Sequence, residues 1–142
     1  MLFGGYGSDL LNGGAGNDTL NGGADLDQLW GGTGKDRFEF SDFNIIDWAA
    51  DSVNDFAKGD TIVFSQGLAD DYGFNVLKGK LDKNSFVSGA SAQAHDADDR
   101  FIYDTSSHTL WFDPDGDAGQ AAVEVATFAN NYSLTAADIA FV

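Results

Sequence analysis

The chain has 142 residues, a formal net charge of −16 and no cysteine. That charge excludes nucleic acid as a partner, which needs a basic footprint, and opposes stable insertion into anionic membranes. The missing thiols exclude a disulfide framework, while a hydrophobic share of 43% with 12 Phe is enough for one domain or a repeat array with a cap.

From the N-terminus, Leu2-Phe3 has the form of the last two positions of a nine-residue unit, and the unit then recurs four times. The units are Gly4-Gly5-Tyr6-Gly7-Ser8-Asp9-Leu10-Leu11-Asn12, Gly13-Gly14-Ala15-Gly16-Asn17-Asp18-Thr19-Leu20-Asn21, Gly22-Gly23-Ala24-Asp25-Leu26-Asp27-Gln28-Leu29-Trp30 and Gly31-Gly32-Thr33-Gly34-Lys35-Asp36-Arg37-Phe38. Position eight is always apolar (Leu11, Leu20, Leu29, Phe38), and a short strand there turns the side chain inward. One unit cannot bury it, whereas stacked units build a continuous apolar column. Glycines at positions one, two and four permit backbone angles closed to other residues and leave carbonyl oxygens uncovered. The pattern predicts an all-β fold: a parallel β-roll over residues 1–40 and a small β-rich cap over residues 41–142. A flexible Gly-rich linker has no need of an apolar residue in fixed register with Asp.

Asp9, Asp18, Asp27 and Asp36 hold position six and set a carboxylate beside the bare carbonyls. Calcium takes roughly six to eight oxygens at about 2.3–2.6 Å, and carbonyls with carboxylates supply them. One loop cannot fill that shell. Two units make one full turn, so each loop stacks on the loop two units later. The reading therefore pairs Asp9 with Asp27 and Asp18 with Asp36, giving two complete sites and partial ones at the ends. Candidate ligands are these four Asp together with Gly4, Tyr6, Gly7, Gly13, Ala15, Gly16, Gly22, Gly23, Gly32 and Gly34. Asp25 replaces the third glycine of its unit; Asp tolerates left-handed backbone, so the turn is expected to survive, with the extra carboxylate on the ion or in water. Without metal, the clustered carboxylates repel and little core opposes the chain entropy.

Beyond Phe38, Glu39-Phe40-Ser41 extends the last strand, and Asp47 to Asp55 reads as a short amphipathic helical turn around Trp48, Val53 and Phe56. Asp60 to Phe64 reads as a strand after a Lys58-Gly59 turn, and Asn75 to Leu77 and Ser85 to Val87 as weaker strands. Ala90 to Asp99 reads as an acidic loop. Arg100 to Asp104 and Thr109 to Phe112 form a hairpin around Thr105-Ser106-Ser107-His108, and Val123 to Phe128 alternates as a third strand. Thr135 to Asp138 fits a capping box, and Ile139 to Val142 ends the chain as an apolar strand. Met1 reads as an added start, with the natural protein continuing upstream. No signal peptide is visible and no apolar run is long enough to span a bilayer.

Four units in register followed by this cap resemble the RTX (repeats-in-toxin) calcium-binding C-terminal domains of bacterial secreted proteins. That family includes serralysin-type proteases, lipases, hemolysins, adhesins and alginate epimerase modules. The nonapeptide is itself a known calcium-binding repeat, so the link to calcium is taken from the resemblance. Asn54 to Ile62 looks like the Asp-Phe…Gly-Asp-x-Ile segment that often follows such repeats, and Phe101 to Asp104 with Leu110 to Asp113 and Asp115-Gly116 extends the likeness. The resemblance implies an extracellular protein exported by a type I secretion machinery through an uncleaved C-terminal signal. Asp138-Ile139-Ala140-Phe141-Val142 has the acidic-then-apolar form of such signals and also reads as an ordinary strand. It further implies repeats that stay unfolded at low cytosolic calcium and fold outside, on sites of roughly 10⁻⁴–10⁻³ M affinity, in service of an effector domain upstream in the same chain. Metal binding would then be folding free energy.

Asp113, Asp115 and Asp117, with Glu124 later, have EF-hand-like spacing. Ala118 in place of the loop glycine, Gln120 in place of an apolar residue and flanking strands oppose a true EF-hand, so a hairpin calcium loop and a solvated acidic turn stay open. His95 and His108 read as loop and turn residues. No zincin, nucleophile-elbow or P-loop motif is present, and the chain reads as non-catalytic. Two alternatives are a calcium-dependent carbohydrate-binding or adhesive module resembling an alginate-epimerase R-module, with a glycan partner, and self-processing at Asp113-Pro114.

Overall fold

The apolar position of every unit lands in a strand, and the strands alternate between two sheets. The computed structural model describes residues 1–40, 50–77, 79–116 and 119–142. Over the units run β1 (Leu2–Tyr6), β2 (Leu10–Asn12), β3 (Thr19–Ala24), β4 (Gln28–Trp30) and β5 (Arg37–Phe40). After them come β6 (Asp51–Val53), β7 (Thr61–Phe64), a helix α1 (Gln66–Tyr72), β8 (Val76–Leu77), β9 (Lys80–Leu81) and a 3₁₀ turn at Lys83–Ser85. The remainder is β10 (Phe86–Gly89), β11 (Phe101–Asp104), β12 (Thr109–Phe112), β13 (Val123–Phe128), a 3₁₀ turn at Ala136–Asp138 and β14 (Ile139–Phe141).

Among the described residues the strands form two seven-stranded sheets, β1-β3-β5-β7-β14-β9-β8 and β10-β11-β12-β13-β6-β4-β2. The molecule is thus mostly β, an arrangement consistent with a β-roll. In the first sheet parallel register sets Leu2 beside Leu20, Leu20 beside Phe38, Phe38 beside Ile62 and Ile62 beside Ile139. In the second it sets Leu11 beside Leu29 and Leu29 beside Val53. Leu20, Leu29, Phe38, Val53, Ile62 and Ile139 are all at most 1% exposed, and each such side chain contributes roughly 1.5–3 kcal/mol by burial.

This parallel stacking continues past residue 40 through β6 and β7. The expected helical turn over Asp47 to Asp55 is corrected here: Asp51–Val53 is a strand parallel to β4. The reason is visible in Asp51-Ser52-Val53, which repeats the acid-x-apolar ending of a unit with Val53 pointing inward. Trp48 and the proposed extension of β5 to Ser41 lie outside the described residues.

The other end is closed by an aromatic cluster in which Phe101 lies 5.0 Å from Phe64 and 5.2 Å from Phe112, centroid to centroid. Phe56 packs edge-on to Tyr132 at 4.9 Å. β11 and β12 form the expected antiparallel hairpin, turned with His108 at φ 56°. Thr135 and Asp138 complete the predicted capping box. Helix α1 was not expected, because Gly67, Asp70 and Asp71 are weak helix formers. Burial of Leu68 and Ala69 overrides that preference, and Gly73 at φ 66° ends the helix. Among the described residues no helix is long and apolar enough to cross a membrane.

Candidate metal centre

Each position-six Asp precedes a strand that stacks on the strand two units away, so its carboxylate falls against the backbone of the neighbouring turn. The Asp9 N–H donates to Asp27 Oδ1 at 2.8 Å and the Asp18 N–H to Asp36 Oδ1 at 2.7 Å. These are the two pairs anticipated from the repeat period. The same bond continues outside the units, from the Asp27 N–H to Asp51 Oδ1 at 3.0 Å and from the Asp36 N–H to Asp60 Oδ1 at 2.9 Å. Two columns of carboxylates result, Asp9-Asp27-Asp51 and Asp18-Asp36-Asp60.

In Asp9, Asp18, Asp27 and Asp36 the other oxygen, Oδ2, is buried with no hydrogen-bond partner. An orphaned anionic oxygen is costly in a fold that satisfies its buried polar groups. Those oxygens lie over the first glycine of each unit. A Cβ on Gly4 would stand 2.6 Å from Asp9 Oδ2 and 2.4 Å from the Gly22 carbonyl oxygen. A Cβ on Gly13 would stand 3.0 Å from Asp18 Oδ2 and 2.7 Å from the Gly31 carbonyl oxygen. At both places an unpartnered carboxylate oxygen and a carbonyl of the next turn converge on a space that only glycine leaves open. Such a donor set fits a hard cation. No three His, Cys, Asp or Glu side chains converge on a metal among the described residues, which agrees with loops that offer one carboxylate each and otherwise backbone.

The other predicted positions divide by role. Gly23, Gly32 and Gly34 have φ of 101°, 91° and 147°, and a Cβ on any of them would lie within 2.2 Å of a carbonyl oxygen one turn away. Gly16 donates its N–H to the Thr33 carbonyl, and Ala15 forms a parallel bridge with Thr33. Gly22 faces Asp27 Oδ2 as Gly4 faces Asp9. Tyr6 is 95% exposed, so only its backbone belongs to the loop. Asp25 adopts φ 77°, as its turn requires, and its Oδ2 accepts from the Gly7 N–H at 3.0 Å.

Residues that the period did not reveal are Asp51, Asp55 and Asp60. Asp55 accepts from both the Gly31 and Gly32 N–H groups, at 2.8 and 2.9 Å. The signal was the acid-x-apolar ending in Asp51-x-Val53 and Asp60-x-Ile62, hidden because the interval to the previous rung grows from 18 to 24 residues.

Charge sharpens the demand for a counterion. Among the described residues none of the ladder carboxylates forms an ion pair; the two pairs present are Arg37–Glu39 and His95–Asp99. Burial pushes the Asp51 carboxyl up to about 7, and burial also raises Asp27 and Asp60. These raised values mean that the calcium-free fold holds more protons than the unfolded chain between about pH 4 and about 7. Its stability therefore falls as pH rises through that window, whereas calcium needs the deprotonated groups. In calcium-free buffer the folded fraction is expected to rise from pH 7 to pH 5. Circular dichroism at the two pH values checks this, and a folded fraction that falls over the same interval would contradict the raised carboxyls.

The family model for the RTX calcium-binding nonapeptide repeat matches residues 3–38 in four copies. Residues 3–38 are RTX calcium-binding nonapeptide repeats. No curated protein matches the chain. The RTX match ends before β6, so Asp51, Asp55 and Asp60 join the repeats through structure rather than through the repeat pattern. Within the RTX repeats, Asp18→Ala is expected to raise the calcium midpoint at least roughly tenfold, the scale seen when partners of a metal site are lost. Asp70→Ala, on the exposed side of α1, should leave it unchanged; equal effects in a calcium titration would contradict a ligand role for Asp18.

The Asp113 turn sits apart from the ladders. Asp113 is 2% exposed and its Oδ1 accepts from the Asp115 and Gly116 N–H groups. Arg100 donates to the Pro114 carbonyl at 3.0 Å, and Asp115 Oδ1 is buried without a partner. Asp117 lies outside the described residues, and Glu124 is placed on β13 opposite Trp111. His95 caps an acidic loop through its N–H to Asp99 Oδ2 at 2.7 Å.

Proposed function

We propose that the chain is a non-catalytic calcium-binding module whose repeats form a parallel β-roll when calcium binds. The reading extends to export by a type I machinery, folding outside the cell and stabilisation of a larger secreted protein. The observation that carries it is the set of four buried, unpartnered Asp Oδ2 atoms in stacked turns that no basic side chain among the described residues neutralises. Calcium supplies the missing positive charge and draws oxygens of two turns together, so binding and folding become one equilibrium. Low calcium then keeps the chain extended enough to be threaded, and calcium at the concentrations that fill extracellular modules, roughly 10⁻⁴–10⁻³ M, fixes it outside. Size-exclusion chromatography with light scattering tests this: the hydrodynamic radius is expected to contract on adding calcium, and an identical compact radius in chelator would contradict the switch.

A second reading, a carbohydrate-binding module, draws support from a cleft of about 460 Å³ on the outer face of β11 and β12. Ile102 and half-buried Trp111 form its floor, with Gln93, Asp104, Asp113 and Gln120 around it. An indole beside carboxylates and amides suits a hydroxyl-rich ligand, while a lining without Lys or Arg among the described residues disfavours a polyanionic one. The Ser106 hydroxyl and amide and the Ser91 amide hold the Asp104 carboxyl below the usual carboxylate range, so it stays an acceptor. Glycan-array binding with and without calcium separates the two readings.

A further inference from the structure

Asn-Gly occurs twice in the chain, at Asn12-Gly13 and Asn21-Gly22, where position nine of one repeat meets position one of the next. In this dipeptide an amide side chain is readily lost, because glycine sets no Cβ beside its own nitrogen and leaves the backbone free to turn. The Gly amide nitrogen attacks the Asn Cγ. A C–N bond closes a five-membered imide, the Cγ–Nδ2 bond breaks, and Nδ2 leaves as ammonia with the proton of the Gly amide. Water then opens the imide at either carbonyl, to Asp or to isoaspartate, whose backbone runs through the former side chain. The ring does not close from a strand: the Asn backbone must first rotate out of the extended conformation to bring the nitrogen onto Cγ.

We infer that Asn12 and Asn21 are self-modification sites that the stacked repeats hold shut and the unstacked chain leaves open; on the reading that calcium drives the stacking, calcium is what shuts them. Asn12 ends β2 in register with Trp30, and the Gly13 N–H donates to the Trp30 carbonyl at 2.8 Å. Asn21 and Gly22 both lie inside β3, between β1 and β5, with Asn21 beside Phe3 and Gly23 beside Gly5. Asn21 is 3% exposed, whereas Asn12 is exposed on the outermost strand of its sheet. The fold therefore ranks the two: Asn21 reacts only when its sheet opens, Asn12 when a strand end frays. The products do not fit where the amides were. An acid at position 21 puts a carboxylate in a buried place. Isoaspartate there lengthens the backbone between Leu20 and Gly22, so Leu20 and Gly23 no longer both keep register with Leu2 and Gly5. A chain that waits without calcium thus loses its ability to fold, and the two junctions time how long it stays competent.

Peptide mapping by mass spectrometry tests this on the whole chain, aged in mildly alkaline buffer with calcium, with chelator, and with chelator plus urea. Conversion at Asn12 and Asn21 is expected in chelator and in urea, ahead of Asn75, whose next residue is Val76. Calcium should slow Asn21 at least roughly tenfold, and Asn12 by less. Equal rates at Asn21 in calcium and in urea would overturn the proposal, as would conversion in urea no faster than at Asn75. Slow conversion in calcium and in chelator alike, fast only in urea, would support closure by the fold and overturn calcium as its cause. After ageing in chelator the wild type should need more calcium to fold, while the double variant Asn12→Gln, Asn21→Gln should keep its midpoint. The same loss of calcium response in both chains would overturn the timing role.

Discussion

Removing Ala140 to Val142 is expected to abolish the folded cap, because the chain end is an inner strand. β14 lies between β7 and β9, pairing in parallel with the first and antiparallel with the second. Phe141 is 4% exposed and packs 5.8 Å from Phe64 and 5.7 Å from Phe74. Loss of one buried Phe side chain costs about 3–5 kcal/mol, and the deletion also strips the bonds from the Gln66 N–H to the Val142 carbonyl and from the Val142 N–H to the Phe64 carbonyl. That sum is comparable to the whole stability of an ordinary domain, about 5–15 kcal/mol. Near-ultraviolet circular dichroism in saturating calcium checks it: the aromatic signal should collapse. A truncated chain with the native spectrum and the native calcium midpoint would show that β14 is dispensable. Because the same residues have the form of an export signal, a secretion defect after truncation has to be read together with this folding measurement.

Gly32→Ala is expected to be among the most damaging single substitutions within the repeats. Gly32 has φ 91°, where a side chain is strained by roughly 1–3 kcal/mol. Its Cβ would also stand 2.0 Å from the Gly14 carbonyl oxygen, which is backbone and cannot swing aside. The Thr33 N–H donates to that same carbonyl at 2.8 Å, so relief of the clash breaks a rung of the stack. Together these should raise the calcium concentration for half-folding well above tenfold, tenfold being about 1.4 kcal/mol. Gly14→Ala is the comparison: its φ is 90° but nothing lies within 4 Å of its Cβ, so it meets the strain without the clash. Equal midpoints for the two variants would show that the turns are not stacked as closely as described.

Within the repeats the architecture was legible because two requirements share one period. Leu11, Leu20, Leu29 and Phe38 reach the core while Asp9, Asp18, Asp27 and Asp36 reach the loops, and the two-unit turn of the known β-roll repeat satisfies both. The pairing of Asp9 with Asp27 and Asp18 with Asp36 follows from that turn. What comes after was harder to read. Asp51 and Asp60 fill the same places, but the longer interval hid them, and the apolar residues near Trp48 suggested a helical turn instead of β6. The role of Asp25 also depended on three dimensions: its carboxylate finds the Gly7 amide one turn away, a contact between residues 18 apart. Parallel pairing of β14 with β7 was beyond the sequence, since an apolar tail such as Ile139 to Val142 names a strand but not its neighbours. Helix α1 owes its existence to the burial of Leu68 and Ala69, which local propensity does not show.

The central claim is that calcium is the folding partner of this chain, and a calcium titration followed by far-ultraviolet circular dichroism, with magnesium as the control, tests it most directly. Magnesium prefers a tighter octahedron and keeps its waters, so stacked loops of carbonyls and single carboxylates should select against it. A cooperative gain of β-structure with calcium, absent with magnesium, is the predicted result. A spectrum already native in calcium-free buffer at pH 7, or one that magnesium restores equally well, would contradict the account.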